Sequence, residues 1–405
     1  MIRFFDIDTW NGNQIVIFGA GKYGRIVGEI LQEKNIDFLY CDSNPDLDSI
    51  SGKPCVSVDY LKNRNNIDVI IGSYKYLEDI YNILDGIYGN ENSIFLADNL
   101  LRDYKWEKTN KIDNVAEHIS FRFETMKFLA HKNEGWYLPH LDLIITEICT
   151  LNCKYCGSLM PYYTAPRNFQ YDLTNALDEL LSSNCYVGEL DIVGGEPLVN
   201  PRVIEHICDT YSDCERIGVF EMITNGTIVP DKSVVESFGR LKDKYVLFSN
   251  YGELSTNQGK AVELFESFNI NVAVLEDEDI DNDGAREWIF YGKVQHYPFS
   301  NAKHQKMYEN CHEQKYCTTL LHDRLYRCPR MAHSVNSGLV GCETLGKGTF
   351  ELMDDDFRLL SVSKKRDALL EWYNEPNHPL GCEYCNRDAG ILVERALQEK
   401  RCRKQ

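Results

Sequence analysis

No stretch of about 18 consecutive apolar residues occurs in this 405-residue chain, so no membrane-spanning helix is expected. The first ten residues, Met1 to Trp10, contain Asp6 and Asp8 and lack a long apolar core. This does not read as a secretory signal peptide, so a cytoplasmic protein is expected. Basic charge is in short supply: 43 Lys and Arg face 62 Asp and Glu, a formal net charge of −19. Such an acidic surface repels phosphate backbones, so nucleic acid is not an expected partner. The one locally basic stretch, with Arg395, Lys400, Arg401, Arg403 and Lys404, reads as a solvated helix end. Internal repeats and low-complexity tracts are absent.

What is present is a globular composition, 43% hydrophobic and 26% charged, at a length that suggests two or three domains. Fifteen cysteines stand out. In a long cytosolic chain they suggest metal or redox chemistry rather than disulfides. Cys41, Cys55, Cys185, Cys208, Cys214 and Cys402 are scattered and read as buried structural residues; Cys185 and Cys208 fall in stretches of helical character. Cys149, Cys153 and Cys156 sit on one short loop, and the rest crowd the C-terminal quarter.

The periodicity predicts an α/β chain. Residues 14–18 form a short buried strand, a glycine turn and an amphipathic helix follow, and a second strand ends at Asp42. A strand at 68–75, a helix at 76–89 and a strand at 93–98 complete a doubly wound, Rossmann-like domain over residues 1–101. Residues 102–138 read as a helical linker without a clear core face. From Leu141 a second series of strands, 141–148, 188–195, 218–225, 245–250 and 270–276, alternates with helices such as 171–183 and 233–243. Repeated βα units of this kind imply a parallel sheet, curved or closed as a barrel, over residues 139–300. Residues 301–405 read as a small, loop-rich, metal-held module.

Cys149, Cys153 and Cys156 follow a strand directly, with spacing C-x3-C-x2-C. Three thiolates on one loop suit an iron-sulfur cluster, whereas zinc would want a fourth close ligand. With Tyr155 before the last cysteine, this loop resembles the signature of the radical S-adenosylmethionine (SAM) superfamily. The likeness extends to Gly194-Gly195-Glu196-Pro197 after the next strand, which resembles the turn that holds the amino group of SAM's methionine part, to Asn225 after the third strand and to Ser249 after the fourth. These lie at carboxyl ends of parallel strands, where such folds bind ligands. The resemblance implies a partial (β/α)6 barrel and a [4Fe-4S] cluster with one open iron that binds SAM. It also implies reductive cleavage to a 5′-deoxyadenosyl radical, hydrogen abstraction from a substrate, and a reductase partner such as flavodoxin or ferredoxin.

Residues 318–327 read as a β-hairpin with His322 and Asp323 near its turn. With Cys311, Cys317, Cys328, Cys382 and Cys385 around it, the segment resembles the twitch or SPASM modules that hold auxiliary [4Fe-4S] clusters. Asp323 stands where that family usually has glycine, and the longer late cysteine run is missing, so one auxiliary cluster is implied. Cys311, Cys328, Cys382 and Cys385 are the favoured four, with Cys317 a substitute and Cys342 structural; a four-cysteine zinc site is the competing reading.

Gly19, Gly21 and Gly24, followed by Asp42, fit a dinucleotide turn that would place a pyrophosphate at the helix start and a ribose on Asp42. NAD or another nucleotide is one reading. The other is a docking domain, because this segment also resembles α/β domains attached to bacterial sugar and surface-polysaccharide enzymes. That likeness favours a sugar or nucleotide sugar as the small-molecule substrate, with oxidation, epimerisation or dehydration as outcomes. Modification of a peptide or protein side chain is the alternative, and a non-catalytic iron-sulfur scaffold is a third reading.

Overall fold

The computed structural model describes residues 3–44, 48–62, 64, 66–89, 93–102, 104, 111–170, 173–275 and 287–399. The chain divides into two compact units, Met1–Phe128 and Leu129–Gln405. Among the described residues no helix is long and apolar enough to cross a membrane.

In the first unit, seven strands form one sheet: β1 (Arg3–Phe4), β2 (Gln14–Phe18), β3 (Phe38–Cys41), β4 (Ser49–Ile50), β5 (Lys53–Val56), β6 (Ile67–Ile71) and β7 (Ile94–Leu96). Their order is β1-β7-β6-β2-β3-β5-β4, parallel except for the β4–β5 hairpin. The continuous apolar runs of β2 and β6 are buried, as a sheet covered on both faces requires. The chain order reverses at β2, between β3 and β6, which places the glycine turn at the topological switch point. Helix Lys111–Lys132 covers much of the expected linker, yet it has a core face: Phe121 and Met126 are fully buried. Phe121 meets Tyr23 and Tyr74, and Phe128 meets Tyr81. Aromatic packing, rather than periodicity, ties that stretch to the first unit.

The second unit is built on strands β8 (Trp136–Ile144), β9 (Cys185–Val193), β10 (Ile217–Thr224), β11 (Lys244–Ser249) and β12 (Asn271–Leu275). All five run parallel, and helices Leu173–Ser182, Pro201–Tyr211, Lys232–Gly239 and Gln258–Ser267 alternate with them. Beyond them come β13 (Glu287–Ile289), β14 (Thr318–Leu321), β15 (Arg324–Tyr326), β16 (Thr349–Glu351) and β17 (Leu392–Glu394). The expected hairpin is β14–β15, with His322 in the left-handed region at φ 58°. It joins the same sheet, because β14 pairs parallel with β8, giving the order β12-β11-β10-β9-β8-β14-β15-β16. The edge of β8 is thereby covered by the C-terminal part of the chain.

Alternate residues of β8–β11 divide the sheet into two faces. Leu141, Leu143, Leu190, Ile192, Phe220, Met222, Val246 and Phe248 belong to a core shared with Leu177, Ile204, Val235 and Phe265 of the helices. Cys185 lies at the start of β9 rather than in a helix, and is fully buried. The strand expected from Leu141 begins five residues earlier, at Trp136.

Candidate active site

The cysteine loop leaves the carboxyl end of β8, and its backbone is gripped by the turn that follows β9. Gly195 N–H donates to Thr146 O at 3.0 Å and Glu196 N–H to Ile148 O at 2.9 Å. The approach leaves no room for side chains: a Cβ on Gly194 would lie 2.5 Å from Thr146 O, and one on Gly195 would lie 2.3 Å from Ile148 O. Glycine is required here by close contact, not by dihedral angle.

Glu196 is fully buried, and its carboxylate accepts from Leu198 N–H (3.2 Å), Thr224 Oγ1 (2.8 Å) and Asn225 N–H (2.8 Å). Burial pushes its carboxyl up to about 7 against the pull of these donors. It therefore fastens the turn after β10 to the turn after β9. Asn225 in turn directs Nδ2 at Thr150 Oγ1 (3.1 Å) and at the Cys149 sulfur (3.6 Å), while its Oδ1 accepts from Thr227. Ser249 hydrogen-bonds Tyr251, whose hydroxyl lies near all three loop thiols. Tyr155 stands edge-on to Phe290 at 5.1 Å.

Burial, together with neighbouring Glu196 and the other two thiols, raises Cys149 to about 12. Cys153 is raised to about 11 by burial, although Gln398 Nε2 donates to its sulfur at 3.2 Å. Cys156 is raised by burial too, against three backbone N–H donors from Ser158, Leu159 and Met160. Three thiols, Cys153 buried and Cys149 and Cys156 half-buried, close enough to oppose one another's ionisation and with N–H groups aimed at them, fit a metal-sulfur cluster that takes thiolates.

The C-terminal segment is not a solvated helix end: after a turn at Arg395–Ala396 its described residues pair with this loop through an isolated bridge between Gln398 and Cys153. Lys154 N–H donates to Leu397 O (2.8 Å), Glu399 N–H to Asn152 O (2.8 Å), and the Gln398 side chain accepts from Asn152 N–H (2.8 Å). Arg395 donates to Asn250 O at 2.7 Å. Lys400, Arg401, Cys402, Arg403 and Lys404 lie outside the described residues. Sequence reasoning missed Gln398 because a lone glutamine in a basic tail carries no periodic signal.

A second thiol group surrounds another cavity. Cys311, Cys328, Cys382 and Cys385 line it together with Arg327, Arg330 and Arg387. Cys328 and Cys382 are both raised, first by burial and then by the neighbouring thiols of this set. Cys317 is not among the residues that line this cavity, and its thiol is raised by burial and then by Asp142 of β8 and Glu313 of the short helix His312–Tyr316. Cys342 accepts from Arg324 Nη1 at 2.6 Å. Arg330 exerts its charge on both Cys156 and Cys385, one thiol from each group.

A polar network ties the loop to helix Pro329–Asn336. Asn336 Nδ2 donates to Glu147 Oε1 (2.8 Å) and to the Tyr163 hydroxyl (3.0 Å), and that hydroxyl meets His333 Nδ1 at 2.7 Å. Burial holds His333 down at about 3, so its imidazole is neutral.

The face of β8–β11 turned from the helices is charged. His140 Nε2 lies 2.7 Å from Asp191 Oδ2, and the Tyr245 hydroxyl donates to Glu189 Oε1 at 2.6 Å. Burial opposes protonation of His140, but Asp191, Asp142 and Glu189 outweigh it and push the group up to about 10. Asp142 and Glu189 are each raised to about 7, chiefly by burial. These residues were also missed in the sequence, although charged residues two apart inside apolar strands (His140 and Asp142, Glu189 and Asp191) were a visible signal.

In the first unit, a Cβ on Gly24 would lie 1.8 Å from Gly19 O, so this glycine permits the tight turn. Gly19 itself has φ 102°, and Gly21, at the start of helix Lys22–Glu33, faces open space. Asp42 closes the turn: its carboxylate accepts from Ala20 N–H and Asn44 N–H, both at 2.9 Å.

No family model matches the chain. It is similar to the radical SAM cyclopropyl synthase TigE of Paramaledivibacter caminithermalis, 20% identical over 226 residues, which are 51% of this chain and 44% of that protein. It is also similar to the uncharacterized protein MJ0907 of Methanocaldococcus jannaschii, 34% identical over 102 residues, 24% of this chain and 33% of that one. The matches thus span less than half the length of either curated relative. Among solved structures, BtrN in complex with AdoMet and 2-DOIA aligns at TM-score 0.38 and 17% identity, over 62% of this chain and 93% of that one. About half of this chain is thus similar to a radical SAM enzyme, and its α/β fold carries a cysteine loop gripped by a glycine turn.

Proposed function

We propose that the second unit cleaves SAM reductively and abstracts hydrogen from a small-molecule substrate, a sugar or nucleotide sugar. The observation that carries this reading is the trio Cys149, Cys153 and Cys156 clamped by Gly195 and Glu196. In this reading the trio holds a [4Fe-4S] cluster, and Gly194, Gly195, Glu196, Asn225, Ser249 and Tyr155 surround SAM. When bound, cluster and SAM together supply a 5′-deoxyadenosyl radical. The chain's own part is placement and exclusion of water: Asn225 and Gln398 aim N–H groups at sulfur, and the C-terminal segment covers Asn152 to Lys154.

Cys311, Cys328, Cys382 and Cys385 would hold one auxiliary [4Fe-4S] cluster, a reading supported by their shared cavity. A second cluster gives an electron acceptor for a substrate radical, so net oxidation is the favoured outcome over epimerisation or dehydration. The glycine turn with Gly19, Gly21 and Gly24 is proposed to hold a nucleotide, and a cytoplasmic flavodoxin or ferredoxin to deliver the electron. The sugar class rests on the likeness of the N-terminal segment.

Iron analysis tests the cluster assignment. Cys149→Ala and Cys328→Ala should each lose about four iron per chain, whereas Cys317→Ala should keep the wild-type content. Loss of iron from Cys317→Ala equal to that from Cys328→Ala would contradict the assignment. With clusters in place, a nucleotide-sugar pool should raise SAM cleavage more than a peptide pool. The reverse ranking would move the proposal to peptide modification.

A further inference from the structure

The charged face of the second sheet holds a group of donors that the proposed SAM chemistry leaves unused. Strand pairing sets Thr319, Asp142, Asp191, Glu221 and Tyr245 side by side in one row across β14, β8, β9, β10 and β11. His140 and Glu189 pair directly with each other two residues nearer the strands' amino ends. Ligand atoms of His140, Glu189, Asp191 and Glu221 all lie within 4.8 Å of one another.

This is more than an acidic cluster. Asp191 and Glu221 are 2% and 4% exposed, yet Asp191 Oδ1 and Glu221 Oε1 have no hydrogen-bond partner, nor does His140 Nδ1. Each unmade bond at a buried polar atom costs about 1–3 kcal/mol, more for a charged group. Two unit charges about 4 Å apart repel by about 4 kcal/mol near a protein surface, so three carboxyl groups beside an imidazole that carries at most one positive charge must either hold protons or take up a cation. The outer contacts have the form of a supported ligand shell: Tyr245 fixes Glu189 at 2.6 Å, and Thr319 fixes Asp142 at 3.1 Å beside His140.

We propose that His140, Glu189, Asp191 and Glu221 bind a divalent first-row cation inside the second unit, distinct from both thiol groups. Donors held at about 2.0–2.2 Å from one ion stand at most about 4.4 Å apart, so the observed spread closes with small side-chain shifts. One imidazole with three carboxylates suits Mn²⁺, Fe²⁺ or Zn²⁺ and disfavours Cu⁺, which prefers thiolates. The row lies on the strands that carry the cysteine loop and the turns after β9 and β10. Glu221 stands four residues before Asn225, about 13 Å along an extended strand. An ion there is placed to ligate a substrate hydroxyl, carboxylate or amine beneath the loop. The metal site itself does not depend on SAM cleavage.

Mn²⁺ is the probe, because it binds oxygen and nitrogen donors and competes poorly for thiolates. Holoenzyme with reconstituted clusters is titrated anaerobically with Mn²⁺, and free Mn²⁺ is read by electron paramagnetic resonance. The wild type should bind one ion per chain, and Asp191→Asn and Glu221→Gln should each bind it at least ten-fold more weakly. Thermal melts of the wild type should also shift upward with Mn²⁺, a readout that needs no variant to fold. No saturable Mn²⁺ binding by the wild type would overturn the proposal, as would equal binding by wild type and both variants.

Discussion

At the residue scale, two side-chain positions govern the site in different ways. Gly195 lets the turn after β9 touch the cysteine loop, and a Cβ there meets Ile148 O at 2.3 Å, a backbone atom that cannot swing aside. Gly195→Ala should push the loop outward. Formation of 5′-deoxyadenosine should fall by about 100-fold, the cost of misplacing reacting groups by about 1 Å. Near-unchanged turnover in a folded variant would show that the clamp is dispensable. His333 acts through burial. Its folded value of about 3 lies below the unfolded value of about 6.5, so its stabilising contribution is present above pH 6.5 and drains away as pH falls toward 3. Between pH 6.5 and 5 the wild type should lose about 2 kcal/mol relative to His333→Gln, measured by urea unfolding of the cluster-free protein at both pH values. Identical pH dependence in the two proteins would mean that His333 is protonated in the native state. The glycine turns and the three loop cysteines were legible in the sequence, because each is a dense local signal. The His333–Tyr163–Asn336 network was not, because its members stand 170 residues apart and meet only through the fold.

At the scale of elements, the strands of both sheets could be read from apolar runs and punctuating glycines. Boundaries moved where tertiary pairing overrode local pattern: β8 starts at Trp136 because Trp136 to Leu138 pair with Cys185 to Val187 of β9. The hairpin was readable, but its parallel pairing with β8 was not, since a non-local ladder leaves no trace in local periodicity. The same limit applies to the C-terminal segment. Its charge suggested a solvated helix, whereas backbone hydrogen bonds from Lys154 and Glu399 hold it across the cysteine loop. Deleting residues 396–405 should leave far-ultraviolet circular dichroism nearly unchanged. The visible absorption of the reconstituted protein should bleach several-fold faster in air, because the cover over Cys153 is gone. Equal bleaching rates would show that the segment does not shield the loop.

At the scale of the whole molecule, a net charge of −19 and two compact units frame the one loop on which the proposed chemistry rests. The second unit gathers three kinds of site on one sheet: the loop at the strand ends, the four-thiol cavity beside the hairpin, and the charged row on the face away from the helices. Cysteine spacing marks the loop and the C-terminal thiols in the sequence, and the fold gathers four of those thiols around one cavity. The charged row leaves no local signal of that kind, because its members are spread over five strands. The proposed function rests on the loop alone, whose cysteines are proposed to support reductive cleavage of SAM. The most direct test is anaerobic: reconstituted protein is incubated with SAM and a strong reductant, and 5′-deoxyadenosine is quantified by mass spectrometry beside Cys149→Ala. The account predicts product from the wild type and none above background from the variant. A wild type with its cluster in place and SAM bound that yields no 5′-deoxyadenosine would contradict it.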